Sequence, residues 1–137
     1  MKLFALSLLA VVLLTGSAGA AEPVSRTMNA PPDRVWAVTE AVLKHLGWEI
    51  DKADRSIGWI TTKSRMVEGG DYGVYAKGTR HLMRVNVRAA GGDKTTVTIE
   101  RSVFNRERIL WMDKDEPIVA RDQAVEKNLL DDIGKSL

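Results

Sequence analysis

Apolar and polar positions change their period several times along the 137-residue chain, and each change marks a new element. The run from Leu3 to Leu14 is apolar almost throughout, with Lys2 before it and Ala18-Gly19-Ala20 after it. Such a run is shorter than the ~20 residues that span a bilayer. A positive start, a short apolar stretch and a small-x-small ending predict a secretory signal peptide over residues 1–20, cleaved before Ala21. Residues 21–137 are then expected to form one exported, periplasmic domain with no transmembrane span. A chain of that length buries enough apolar surface for a core of its own.

Residues 24–29 alternate and stop at Pro31-Pro32, as a short strand does. Val35, Val38, Val42 and Leu46 then recur at steps of three and four, which lines them along one helical face that Trp36 and Leu43 widen. Proline suits the opening turn, where its missing N–H removes no bond, and Gly47 predicts the end. Two short alternating runs follow, "WEIDK" and "SIGWITTK", joined by "ADRS". Residues 64–79 hold four glycines and no apolar period, so a long loop is expected there. Two clear alternating strands then flank Gly91-Gly92 as a hairpin. Residues 105–116 look irregular, and a closing helix over 116–137 carries Ile118, Val125, Leu129 and Ile133 on its core face.

The predicted order is β-α-β-β-β-β-α. Each helix has one apolar stripe and the hairpin one apolar face, so these elements can bury them only against one another. The expected fold is therefore α+β: an antiparallel sheet packed against two helices as a two-layer sandwich, with Trp36, Trp48 and Trp59 in its core.

Arginine recurs every fourth residue in "RHLMRVNVR", residues 80 to 88. Side chains alternate across a strand, so His81, Met83, Val85 and Val87 share the inner face. Arg80, Leu82, Arg84, Asn86 and Arg88 then share the outer one. A five-residue loop centred on Gly92 sets Val87 opposite Val97, Val85 opposite Ile99 and Arg84 opposite Glu100. Opposite charges paired across strands are ordinary on a wet sheet face, and that is the reading taken. A strip for an anionic lipid headgroup is the alternative. Nucleic acid is not expected, because the outer face has no aromatic on which a base could stack.

Composition changes this picture little. The chain has 20 basic and 18 acidic side chains and no cysteine. Thiolate metal sites, disulfides and thiol chemistry are therefore excluded. Charge is uneven: residues 77–108 hold eight basic and three acidic side chains, residues 113–132 three basic and seven acidic. Neither His45 nor His81 has an acidic neighbour at metal-ligand spacing. No Gly-x-Ser-x-Gly occurs, and "GGDYGVYAKG" fits neither common phosphate-loop pattern. Glu68 and Asp71 carry no sign of burial. No catalytic residue, metal or cofactor is expected, and binding is the expected work.

Loops of this length often bind, and the expected loop carries Met66, Tyr72 and Tyr75, amphipathic side chains that interfaces favour. Ile109-Leu110-Trp111-Met112 forms a second apolar cluster, read first as a plug for one end of the core and alternatively as an exposed partner site. The candidate binding residues are Met66, Tyr72, Tyr75, Leu110, Trp111, Arg80, Arg84 and Arg88.

One longer cadence stands out: "VWAVTEAVLKHLGWEIDKADRSIGWITT", a helix with Val35-Trp36, then Gly47-Trp48-Glu49-Ile50, then "DRSIGWITT". It resembles the helix-grip domain of the outer-membrane assembly lipoprotein BamC family, over most of residues 24–136. Residues 31–36, "PPDRVW", also resemble the opening of START-like ligand-binding domains. BamC-type proteins carry a lipidated cysteine and two domains, whereas this sequence has no cysteine and is expected to form one domain. The resemblance implies a helix-grip fold and a cell-envelope setting. The function expected is a non-enzymatic envelope module that binds another protein, the alternative being a carrier of a small apolar or lipidic ligand held between helix and sheet.

Overall fold

The computed structural model describes residues 22–120 and 122–137, and the expected signal peptide lies outside them. β1 (Val24–Met28) leads through Pro31 into α1 (Pro32–His45). The helix ends in a Schellman turn. Gly47, at φ 86°, donates its N–H to the Lys44 carbonyl at 3.1 Å, and the Trp48 N–H reaches the Leu43 carbonyl at 2.9 Å. Arg65 closes the same end, its Nη1 donating to the Leu46 carbonyl at 2.7 Å. The buried face of α1 is Val35, Trp36, Thr39, Val42 and Leu43. Leu46, expected on that face, is instead the half-exposed cap residue.

Six further strands follow: β2 (Ile50–Asp54), β3 (Trp59–Thr62), β4 (Arg65–Asp71), β5 (Tyr75–Gly91), β6 (Lys94–Ile109) and β7 (Met112–Ile118). α2 (Ala124–Lys135) closes the chain. All strands pair antiparallel in one sheet, ordered β1-β6-β5-β3-β2, with β4 also beside β5 and β7 also beside β6. The α+β class and the packing of sheet against two helices are as expected. The expected hairpin register also holds: Val87 faces Val97, Val85 faces Ile99 and Arg84 faces Glu100.

β5 and β6, of 17 and 16 residues, are each long enough to serve two neighbours. β5 pairs with β3 around Val85 and with β4 around Thr79. β6 pairs with β1 around Val97 and with β7 around Asn105. The sheet therefore has a near half, β1-β6-β5-β3-β2, and a far half, β7-β6-β5-β4. The helices pack chiefly on the near half, α1 against β5, β6 and β2, and α2 against β1, β6 and α1. Leu43, Ile60, Met83, Val85, Val97, Ile99, Leu130 and Ile133 meet there with no exposure to solvent. Burying each contributes roughly 1.5–3 kcal/mol of transfer free energy.

The far half corrects the sequence reading. Residues 64–79 form β4 and the start of β5, and residues 105–116 continue β6 into β7. The sheet has seven strands where five were expected, and the closing helix begins at Ala124, Pro117 and Ile118 belonging to β7. Both faces of the far half lie beyond the helices, so neither needs an apolar row, and the period-2 signal vanishes.

Candidate functional site

The far half ends in two neighbouring turns. At the β4–β5 turn, the Tyr72 N–H donates to the Tyr75 carbonyl at 2.7 Å and the Gly73 N–H to Asp71 Oδ1 at 3.0 Å. That backbone donor, helped by the Arg108 cation, holds the Asp71 carboxyl below the ordinary carboxylate value. At the β6–β7 turn, Ile109 pairs with Met112, leaving Leu110 and Trp111 as a two-residue loop. Their φ angles are 51° and 69°. A two-residue hairpin loop of the I′ type needs positive φ at both positions and selects Asn-Gly for it. Side-chain-bearing residues there are strained by about 1–2 kcal/mol each.

Tyr75 pairs with Ile109, which brings the two turns side by side. Tyr72, Leu110, Trp111 and Met112 are each about three-quarters exposed, at 76%, 77%, 73% and 75%. Val74, Tyr75 and Ile109 are exposed beside them, and the Tyr72 and Tyr75 rings stack with centroids 6.3 Å apart. This apolar cap does not plug the core, as was expected of Ile109–Met112. It stands in water at the end furthest from the helices.

Directly behind the cap the sheet turns charged on both faces. On the outer face Arg108 bridges two carboxylates, Nε to Asp113 Oδ1 at 2.8 Å and Nη1 to Asp71 Oδ2 at 3.3 Å. Arg106 grips Asp115 with two bonds, at 2.7 and 3.0 Å. The Arg106 bond holds the Asp115 carboxyl below its ordinary range, and the two guanidiniums are pushed further up by their carboxylate partners. The basic and acidic segments of the sequence thus neutralise one another across β6 and β7.

The face turned toward the helix side is different. Tyr75, Lys77, Thr79, Asn105, Glu107, Lys114 and Glu116 share it by register, and with Glu68 and Tyr72 they line a concave cleft of about 850 Å³. Thr79 Oγ1 donates to Asn105 Oδ1 at 3.1 Å. Among the described residues, Lys77, Glu107, Lys114, Glu116 and Glu68 have no ion pair. A close backbone approach at a bulge joins β4 to β5. A Cβ on Gly69 would lie 2.2 Å from the Lys77 carbonyl oxygen, and one on Gly78 would lie 2.4 Å from that of Glu68.

Of the residues singled out from sequence, Tyr72, Tyr75, Leu110 and Trp111 come together at this end. Met66 lies half-buried further back on β4. The arginine row does not join them. Arg80 is held by Ser64, through Nε to Oγ and Nη2 to the carbonyl, both at 2.9 Å. Arg84 lies over the Trp59 ring at 4.7 Å, with no ion pair to Glu100. Trp59 is therefore a half-buried outer-face residue, not a core one, while Trp36 and Trp48 are buried as expected. Arg88 is exposed near the opposite end of β5.

One cluster escaped sequence reading. Arg101 lies on the inner face of β6 between Ile99 and Val103, and its Nε meets Glu126 Oε1 of α2 at 2.6 Å. The contact is an ion pair and not a hydrogen bond, and Glu126 Oε2 has no hydrogen-bond partner among the described residues. Arg101 also donates from Nη2 to the Asp122 carbonyl at 2.8 Å, and its Nη1 lies 3.3 Å from His81 Nδ1. Burial, and then the Arg101 charge, push the His81 imidazole below its ordinary value. The signal was present: the alternation that turns Val97, Ile99 and Val103 inward turns Arg101 inward too. The Arg101–Glu126 pair ties α2 to the sheet and is closed to solvent, with His81 part-exposed beside it.

Among the described residues no group of three or more metal-ligating side chains converges, and no helix is long and apolar enough to cross a membrane. No protein-family model matches the chain, and no curated protein sequence matches it. Among solved structures the chain is similar to an uncharacterised protein from Bacillus thuringiensis, at 12% identity and a TM-score of 0.36, over 84% of this chain and 93% of that one. A likeness that distant adds nothing to the fold or the site.

Proposed function

We propose that this chain is a non-enzymatic binding module of the cell envelope that holds another protein against the far half of its sheet. The observation that carries this reading is the gathering of Tyr72, Tyr75, Lys77, Glu107 and Lys114 on an uncovered concave face, where five charged side chains have no ion pair among the described residues. On the other face, by contrast, Arg106 and Arg108 are paired with carboxylates. Unpaired charges beside exposed tyrosines suit the polar rim and aromatic anchors of an interface. The leader-like apolar run over Leu3 to Leu14 and the BamC-like cadence support the envelope setting.

The carrier alternative needs room between helix and sheet, where Leu43, Ile60, Met83, Ile99, Leu130 and Ile133 pack with no exposure. No observation favours it over the first reading. Affinity capture from envelope extract tests the proposal. The wild-type chain should retain one protein at stoichiometric yield, and Lys77→Glu with Lys114→Glu should lose it with folding unchanged. Capture that is absent, or indifferent to the two lysines, contradicts it.

A further inference from the structure

The apolar cap is bounded in an unusual way. Counting back from the turns, the last apolar row across three strands is Tyr75, Ile109 and Met112. The next row places Asp71, Arg108 and Asp113 on the outer face. The row after that places Lys77, Glu107 and Lys114 on the other face. Everything beyond this charged double row is the apolar row itself with Tyr72, Gly73, Val74, Leu110 and Trp111. The boundary between apolar and charged thus runs perpendicular to the strands and at nearly one height on both faces of the sheet.

A groove on a protein would ask for an apolar patch on one face. A boundary that encircles the end of the sheet at one level matches a flat dielectric boundary met end-on. We infer that the cap seats in the interfacial layer of a lipid bilayer, with the strands upright and the charged belt in water. This surface adjoins the concave face assigned to a protein partner and shares Tyr72 and Tyr75 with it, while Lys77 and Lys114 belong to the concave face alone. The dimensions agree. Two residues per strand at 3.3–3.4 Å rise give a cap about 7 Å deep, within the ~5–10 Å to which apolar faces enter the headgroup region. Tryptophan and tyrosine are the residues that settle at that depth. The unpaired backbone groups of the two turns keep the cap out of the hydrocarbon itself, where each would be heavily penalised.

Charge decides which lipid. The outer row carries two acids and one base, and the inner row two bases and one acid, so the belt sums to zero. The attraction is therefore apolar, and a zwitterionic surface suffices. The positive φ of Leu110 and Trp111 strengthens the case. The chain keeps two large apolar side chains where turn geometry selects Asn-Gly, and such strain at an exposed site marks a functional demand.

Flotation with phosphatidylcholine vesicles tests this, using the polypeptide from Ala21 onward. Residues 22–137 include every described strand and helix and the whole packed core, and removing the leader-like run removes a competing source of lipid affinity. Trp36 and Trp48 are buried and Trp59 is half-covered, so an emission change on binding reports Trp111. The wild type should float. Its emission should shift to the blue and be quenched by bromines placed near the headgroup, and binding should be the same from about 0.1 M to about 1 M salt. The variant Leu110→Asn with Trp111→Gly installs the residues that the turn prefers, so it should melt no lower than wild type. Its partitioning should fall by about tenfold or more. Absence of flotation, flotation only on anionic vesicles with loss in salt, or self-association through the cap with vesicles ignored would each overturn the inference. Lys77→Glu with Lys114→Glu should abolish protein capture but leave the cap apolar, so failure of one reading is distinguishable from failure of the other.

Discussion

Arg101 and Glu126 show what a single pair of side chains can decide. An ion pair with 6% and 0% side-chain exposure gains little net stability, because both charges leave water. Removing one partner is a different matter, since it strands a buried charge. Glu126→Ala should lower the unfolding free energy by roughly 3–5 kcal/mol in a urea titration, while Arg101→Met with Glu126→Leu should restore most of the loss. Additive losses in the double variant would show that the pair is not coupled. His81 beside them gives the chain a pH dependence. Its folded value lies below the ordinary 6.5, so the unfolded chain takes up a proton first as pH falls. Its contribution is complete above about pH 6.5 and declines below that. Thermal melts should drop between about pH 7 and pH 5, and His81→Gln should flatten that slope. An unchanged slope would remove His81 from the account.

At the scale of elements, the near half and the far half obey different rules. In the near half, strands alternate because one face must meet the helices. There the sequence was legible: α1, the inner faces of β5 and β6, and their register of Val85 with Ile99 were all readable from spacing. In the far half, β4 and β7 carry no apolar row, and glycines that suggested a loop serve a close backbone approach instead. Gly69→Ala would set a Cβ against the Lys77 carbonyl at a position with φ of 114°. It should detach β4 from β5 locally, seen as faster amide exchange over residues 65–71, with the melting of the near half little changed. Global unfolding would mean that the halves are not separable. The free edge of β7 is guarded by Asp113, Lys114, Asp115, Glu116 and Pro117, which discourages strand addition there. The same reasoning explains why the candidate site was only half legible. Residue type flagged Tyr72, Tyr75, Leu110 and Trp111 separately, but only the pairing of β5 with β6 and of β6 with β7 brings them together. Arg80 and Arg84 matched a binding pattern by sequence and proved to be held by Ser64 and Trp59.

For the whole molecule, folding belongs to one end and the proposed binding to the other. The helices, with Leu43, Leu130 and Ile133, anchor the near half. The far half extends from it on two long strands and presents an apolar end and a charged concave face. Amide hydrogen exchange, followed on the chain alone and then with native envelope membranes present, tests this division most directly. Added membranes should slow exchange in residues 68–79 and 104–117 and leave α1, α2 and β1 to β3 as they were. Slowing that falls on the helices or on β1 to β3, or no slowing anywhere, would contradict it.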